Sequence, residues 1–440
     1  MAESPAAPET HDPYLAFRNP VYRRFAISYV LAVISSQILS TSVQWELDSI
    51  TEDALALGLL GGLNALPLIL LALPAGHVVD VMPRRLILLI TQALLIAIPC
   101  AMALLVGAVP GKQRTVLLFV LSGLNAVTLT FARPARVSLL PSIIPRDLYG
   151  NAFTWNSSLF ETSSWVGPAL AGQLLNLGVE WAYWSAALCM VGCMGLTLGL
   201  PSPPAFETSK AATLDSLLKG LRFVWNTPLL ISSMTLDLLA VLLGGATYLL
   251  PLFTREVINT PDFAGSWLES GSTRFGLLRA APAFGAAMMA FTLAHQPLTR
   301  NTGRKLLWAV AGFGAATVVF GLSSNFWLSL SMLILIGAFD NISVVVRNTL
   351  VQTITPDSMR GRVSAVNQVF IGASNEVGGL ESGVAARVLG PVVAVAAGGI
   401  GSIFVVAGIA LRWPQLRRLH SLKDLKPAVV DEPRLGEPPI

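Results

Sequence analysis

The sequence predicts an all-α integral membrane protein of twelve transmembrane helices, arranged as two pseudo-symmetric six-helix halves. Three observations carry this. Only 12% of the 440 residues are charged, 53% are hydrophobic, and the mean hydropathy is +0.65. Soluble domains carry about 25% charged residues, so this chain cannot cover a water-facing surface and lipid is the expected solvent. Second, a bilayer-spanning helix needs about 20 mostly apolar residues, and the chain offers twelve such stretches. Third, residues 136–172 and 347–383 match without a gap at a constant offset of 211 residues. The matches include Arg136 with Arg347, Pro145 with Pro356, Gly150 with Gly361, Asn156 with Asn367, Gly167 with Gly378 and Gly172 with Gly383. Shared apolar composition does not supply such pairs, and the period is far longer than that of a solenoid or propeller.

Taken in order, a polar N-terminal segment (1–22) without the apolar core of a signal peptide precedes the first half, residues 23–200. Its spans are expected near 23–46, 54–76, 86–108, 115–137, 148–173 and 180–200. A linker, 201–226, opens with Pro-Ser-Pro-Pro and carries Leu214, Leu217, Leu218, Leu221 and Val224 at helical spacing beside Lys219 and Arg222. That pattern predicts an amphipathic helix on the cytoplasmic membrane surface. The second half, 227–412, holds spans near 228–252, 273–296, 305–323, 326–349, 361–387 and 390–412, followed by a polar, Pro-rich tail, 413–440. The first, seventh, eighth and eleventh spans are interrupted by polar residues.

With the N-terminus inside, 23 of the 29 Lys and Arg residues fall on inner segments. Lys112, Arg114, Arg255, Arg274, Arg279 and Arg387 are the exceptions. The positive-inside rule then places both termini in the cytoplasm, which agrees with an even number of spans; a bacterial inner membrane is the expected location. The basic residues lie between apolar blocks and form no patch, so nucleic acid is not an expected partner. Cys189 and Cys193 share a helix face, but without a neighbouring histidine they are read as packing and no metal is expected. No phosphate-binding Gly-x-x-x-x-Gly-Lys loop is present, which argues against an ATP-driven pump. His11, His77, His295 and His420 pair with no nucleophile motif, so the chain is not read as an enzyme and no cofactor is expected.

Between the second and third spans stands Gly76-His-Val-Val-Asp80-Val-Met-Pro-Arg84-Arg85. Gly76 permits close helix approach, and Asp80 suits the positive N-terminal end of another helix. This Gly-x-x-x-Asp-x-x-x-Arg-Arg pattern resembles the loop signature of the major facilitator superfamily, in the position that family uses. Two six-helix halves repeated in the same direction are also a property of major facilitator transporters. The resemblance implies that Asp80 docks near the start of the eleventh span (357–362) and on Arg133 or Arg136, latching the cytoplasmic side. The bland alternative for Asp80 is a charge that merely neutralises Arg84 and Arg85. The second-half copy is worn: Arg304-Lys305 keeps the basic pair, but Arg300 and Gln296 replace the aspartate and glycine.

The run from Arg347 through Gln352, Thr355-Pro356, Arg360-Gly-Arg-Val363, Asn367 and Phe370 to Glu376, with Leu380-Glu381-Ser-Gly383, resembles the enterobactin-exporter-like branch of the superfamily. Export of a siderophore or drug is what that resemblance implies; a particular substrate does not carry over.

Ionisable residues within spans are functional candidates because a charge at the bilayer centre is costly. They are Glu161, Asp237, Asp340, Glu376 and Glu381, with Arg279 as a counter-ion. Asn367 shares a helix face with Glu381, whereas Glu376 points the other way. Asp340 and Arg347 are two turns apart and fit a structural ion pair, while Asp237, alone in an apolar helix, is read as facing a cavity. Glu46 and Asp48 at the outer end of the first span are read as hydrated. Gly167-Pro168 and Gly378-Gly379 occupy corresponding places and permit packing or motion. Together these readings predict a monomeric secondary transporter in contact with lipid, a small-molecule substrate and protons, exporting a partly apolar organic molecule by proton antiport. An uptake permease and a non-transporting receptor or scaffold are the alternatives.

Overall fold

Three of the long helices start on a side chain that takes up free backbone N–H groups: Asn19, Asp53 and Asn325. Asn19 accepts from the amides of Val21 and Tyr22 at 2.8 and 3.3 Å, and Pro20 occupies the first helical position, where its missing N–H costs nothing. The helix then runs Pro20–Thr51. Glu52 turns the chain at φ 49°, and Asp53 caps the next helix by accepting from the Leu55 amide at 2.9 Å. In this computed structural model, residues 12–202, 214–258, 265–296, 301–421 and 425 are described. Expectations resting on His11, Lys210, Arg300 and most of the tail lie outside them.

The long helices of the first half are Pro20–Thr51, Ala54–Val81, Arg84–Leu105, Gly111–Ile143, Tyr149–Leu174 and Val179–Leu198. Those of the second half are Pro228–Leu243 with its irregular continuation to Val257, Gly271–His295, Thr302–Leu322, Phe326–Ile354, Asp357–Leu389 and Pro391–Arg412. They are spans one to twelve below. Several outrun the expected ranges, the fourth and first most, because hydropathy detects only the part of a helix at bilayer depth. Among the described residues, ten helical segments are long and apolar enough to cross a membrane. The fifth and eleventh are also long, at 26 and 33 residues, but more polar. These two are the spans that carry most of the sequence repeat.

Packing reproduces the repeat. Within the first half, span one packs on five and six, three on four and six, and two on four. Within the second, seven packs on eleven and twelve, nine on ten and twelve, and eight on ten. The two halves meet through equivalent pairs, two with eleven and five with eight. This is the all-α major facilitator fold.

The seventh span departs from expectation. Its regular helix stops at Leu243, and Gly244–Gly245 lead into a 3-10 turn, Ala246–Leu249, and a π turn, Phe253–Val257. Glycine is a poor helix former, and the break has little room for side chains. A Cβ on Gly245 would lie 2.9 Å from the Gly378 carbonyl carbon, and one on Gly379 would lie 2.5 Å from the Tyr248 ring.

The linker helix, Leu214–Asn226, forms as its spacing predicts. It lies against the second half: Val224 is fully buried, and Gly220 faces the Arg362 backbone at the start of span eleven.

Below, the proximal end of the bundle is the one nearest residues 12 and 421, and the distal end is the one carrying the turn between spans one and two. The largest apolar cluster lies distally and joins both halves, from Leu47, Leu57 and Tyr183 to Phe253, Phe275 and Phe320. Proximally the core is divided. Tyr22, Ile87 and Leu139 belong to a first-half cluster, and Leu230, Leu350 and Val363 to a second-half one.

Candidate functional site

A polar cluster forms where the broken seventh span meets the other half. Glu376 lies thirteen residues before the distal end of span eleven, about 20 Å along it, near bilayer mid-depth. Its carboxylate accepts a hydrogen bond from the Tyr248 hydroxyl, and Asn64 of span two lies close to this pair. Arg279 of span eight and Arg133 of span four act on it electrostatically. Five spans from both halves therefore converge on one carboxylate. Tyr248 is 8% exposed, and the Arg279 Nε is buried with no hydrogen-bond partner. Sequence reading named Glu376 and Arg279 but missed Tyr248 and Asn64. The Gly244-Gly245 pair just before Tyr248 was the available signal.

Asp237 and Arg347 form an ion pair between spans seven and ten, at 7% and 2% side-chain exposure, and Ser343 donates to Asp237 at 2.9 Å. Arg347 thus pairs across helices with Asp237, and the expected pair with Asp340 on its own helix is not the one formed. Asp237 is not the solitary carboxylate its helix suggested. Asp340 is half-buried and within electrostatic reach of Glu161 on span five, so two carboxylates approach from opposite halves. Together Asp237, Asp340 and Ser343 line a small cavity with Phe313 and Phe339. Glu381 accepts a long hydrogen bond of 3.4 Å from Ser382. Asn367 is buried and donates to Asn348 of span ten at 3.2 Å.

At the distal end the halves are tied by three polar links. Arg255 meets Asp48 at 3.5 Å and Glu52 at 3.4 Å, and Arg387 pairs with Asp53. Asn176 accepts from Ser270 and Ser272 and donates to Thr273 at 2.8 Å. Gly58 lies against Gly383 and Gly172 against Gly276, so that a Cβ on Gly58 or Gly276 would come within 2.8 or 2.7 Å of the opposing backbone. Trp45 stacks on Phe275 across the same seam. Glu46 and Asp48 are each 3% exposed; Glu46 pairs with Arg114 and accepts from Tyr183. They are buried partners and not the hydrated charges expected.

At the proximal end, Asp80 forms no hydrogen bond or ion pair among the described residues. Arg84 donates to the Ser138 carbonyl at 3.1 Å, and Arg85 to the carbonyls of Thr197 and Leu198. Arg24 adds a bond to Gly199 at 3.1 Å, so guanidiniums cap the last turn of span six, where a helix end favours cations. Arg136 sits over the Tyr29 ring at 5.7 Å, and Arg133 is exposed. Side chains at Gly76, Gly150 and Gly361 would meet open space. The docking of Asp80 on Arg133 or Arg136 is absent from this conformation, since Arg136 is engaged by an aromatic ring and Arg133 faces Glu376. Among the described residues, no group of three or more His, Cys, Asp or Glu has the arrangement to hold a metal.

Residues 11–437 match the family profile described as transmembrane secretion effector. The enterobactin exporter EntS of Citrobacter koseri is 24% identical over 406 residues, covering 91% of this chain and 94% of that protein. Among solved structures, a POT family transporter in complex with a thioalcohol-conjugated peptide superposes with a TM-score of 0.69 at 10% identity, covering 90% of this chain and 96% of its own. A bacterial homologue of the human lysosomal transporter Spinster, solved inward-facing and unoccupied, gives 0.66 at 15% identity, covering 93% and 97%. At these identities the structural likeness speaks for the fold alone.

Proposed function

This chain belongs to the transmembrane secretion effector family of major facilitator transporters, and on that premise we propose that it exports a small, partly apolar organic molecule by proton antiport with alternating access. The basic bias supports a proximal end that faces the cytoplasm from a bacterial inner membrane. The relatives named as enterobactin exporters support outward transport. A distal core shared by both halves, beside separate proximal cores, supports an inward-facing state.

One observation carries the coupling step. Glu376 accepts from Tyr248 beside the helix break, within electrostatic reach of Arg133 and close to Asn64 of the first half. Its ionised form accepts charge-assisted hydrogen bonds, and those weaken when a proton neutralises it. A proton arriving from the outside therefore loosens a tie between the halves, and its release toward the cytoplasm restores that tie. Asp237 of span seven, Glu381 of span eleven, and Glu161 of span five with Asp340 of span ten are further carboxylates within the bundle. In the opposite conformation Asp80 engages the start of span eleven and closes the cytoplasmic side. The protein works as a monomer of two halves, with lipid around it.

Proteoliposomes with an imposed pH gradient and an internal pH dye test this. Substrate added to wild type should evoke proton counterflow, and Glu376→Gln should retain substrate exchange but lose gradient-driven accumulation. Wild-type transport indifferent to the gradient would sink antiport. Accumulation in the direction of proton flow would favour the uptake permease.

A further inference from the structure

We propose that Arg279 anchors an anionic group of the transported molecule, which makes the substrate class an organic acid with a partly apolar body. The inference rests on the reading of this chain as a transporter of small organic molecules.

Five arginines depart from the basic bias: Arg114, Arg255, Arg274, Arg279 and Arg387. Four of them are accounted for by partners. Arg114 pairs with Glu46, Arg255 with Asp48 and Glu52, and Arg387 with Asp53. Arg274 donates to the carbonyls of Leu268 and Glu269, at 2.9 Å each. Arg279 forms no hydrogen bond or salt bridge among the described residues, and its Nε is buried without a partner.

An arginine at this depth is costly unless something compensates it. Eight residues from the distal end of span eight put it about 12 Å along the helix, one turn past the seam between Gly276 and Gly172. The countercharge it feels is Glu376, whose carboxylate already accepts a hydrogen bond from the Tyr248 hydroxyl. Arg133 brings a second guanidinium to the same carboxylate from the other half. Two cations and one shared, already hydrogen-bonded carboxylate leave positive charge for a ligand. A planar guanidinium with five donors suits a carboxylate or similar oxyanion, which it can hold through two parallel hydrogen bonds. Glu376 sets when the site is open to an anion: while ionised it competes for Arg279, and once neutral it yields.

Calorimetry on the purified full-length protein in lipid nanodiscs, with matched acids and amides, tests this. The probes are 4-phenylbutyrate against 4-phenylbutyramide, and salicylate against salicylamide. Wild type should bind each acid at least tenfold more tightly than its amide. Arg279→Gln should abolish that preference, Arg279→Lys should retain part of it, and Glu376→Gln, which removes the competing carboxylate, should tighten acid binding and raise the preference. Size-exclusion profiles and the behaviour of Arg279→Lys separate lost recognition from lost folding. Amides binding as tightly as acids, no acid binding at millimolar concentration, or an intact preference in Arg279→Gln would each overturn the proposal. Equilibrium binding needs no proton gradient. Acid preference without gradient-driven transport would therefore count against antiport alone, and antiport without acid preference would count against this inference alone.

Discussion

The two ends of the bundle are built from the same pair of halves and are held in opposite ways. Distally, one apolar cluster runs across both halves, two glycine contacts bring backbones together, and acids of the first half meet arginines of the second. Proximally, each half keeps its own core, and the arginines of the Gly76–Arg85 loop are spent on carbonyls of their own half. The lesson lies in where the cations point. A guanidinium that crosses between halves closes an end, and one that caps a helix of its own half stiffens that half as a rigid body. Pseudo-symmetry in sequence therefore coexists with asymmetry between the ends.

The largest expected effect comes from a pair inside one half. Asp237→Ala leaves the Arg347 guanidinium buried without its charge partner, and breaking a buried pair typically costs about 3–5 kcal/mol. Thermal unfolding in detergent should show a large fall in Tm. A small shift would mean that water reaches Arg347 and that the pair is not part of the proximal second-half core.

Next, Gly276→Val forces a side chain against the Gly172 and Pro168 backbone. Overpacking of this kind costs about 1–3 kcal/mol, and the distal seam should part while each half stays folded. A cysteine placed at the buried Leu57, with Cys100, Cys189 and Cys193 replaced, should become reactive to an impermeant maleimide. If it stays protected while the protein remains folded, the glycine contact does not hold the distal end.

Arg255→Ala removes the link to Asp48 and Glu52 and strands the nearly buried Asp48 carboxylate. We expect a loss of about 1–3 kcal/mol in the distal closure and intermediate maleimide reactivity at the same reporter. Arg387→Ala, whose pair is 55% and 37% exposed, should cost only about 0.2–1 kcal/mol. A larger effect for Arg387 than for Arg255 would reverse the ranking of the two links.

The smallest effect on this conformation belongs to Asp80→Asn. Asp80 has no partner here among the described residues, so Tm should be unchanged. On the latch proposed for Asp80, transport should fall, because the helix-end interaction it would lose, typically about 0.3–1 kcal/mol, belongs to the proposed state with the proximal end closed. Unchanged transport would reduce Asp80 to a surface charge.

Much of this was legible before any coordinates. The hydropathy blocks located the spans, since burial in lipid constrains every residue of a crossing helix in the same direction. The 211-residue repeat marked spans five and eleven, which prove to be the more polar pair at the interface between halves. Glu161, Asp340, Glu376 and Arg279 stood out because a lone charge in an apolar run is costly wherever it points. What the runs concealed was partnership. Asp237 looked isolated on its own helix, and the arginine that neutralises it lies 110 residues away. Glu46 and Asp48 looked hydrated because Arg114 and Arg255 belong to other helices. Even the apparent exceptions to the charge bias carried information, since Arg255 and Arg387 turn out to be the cations that cross the distal seam.

The sequence by itself determined the solvent, the spans, the two-fold repeat and the set of costly charges, because each of these follows from local composition and spacing. Tertiary structure alone decided which charge answers which, that span seven breaks at Gly244–Gly245 beside Glu376, and which end is sealed. Ion pairing and close backbone approach depend on distances between helices far apart in the chain, and no period or motif within one helix encodes those distances.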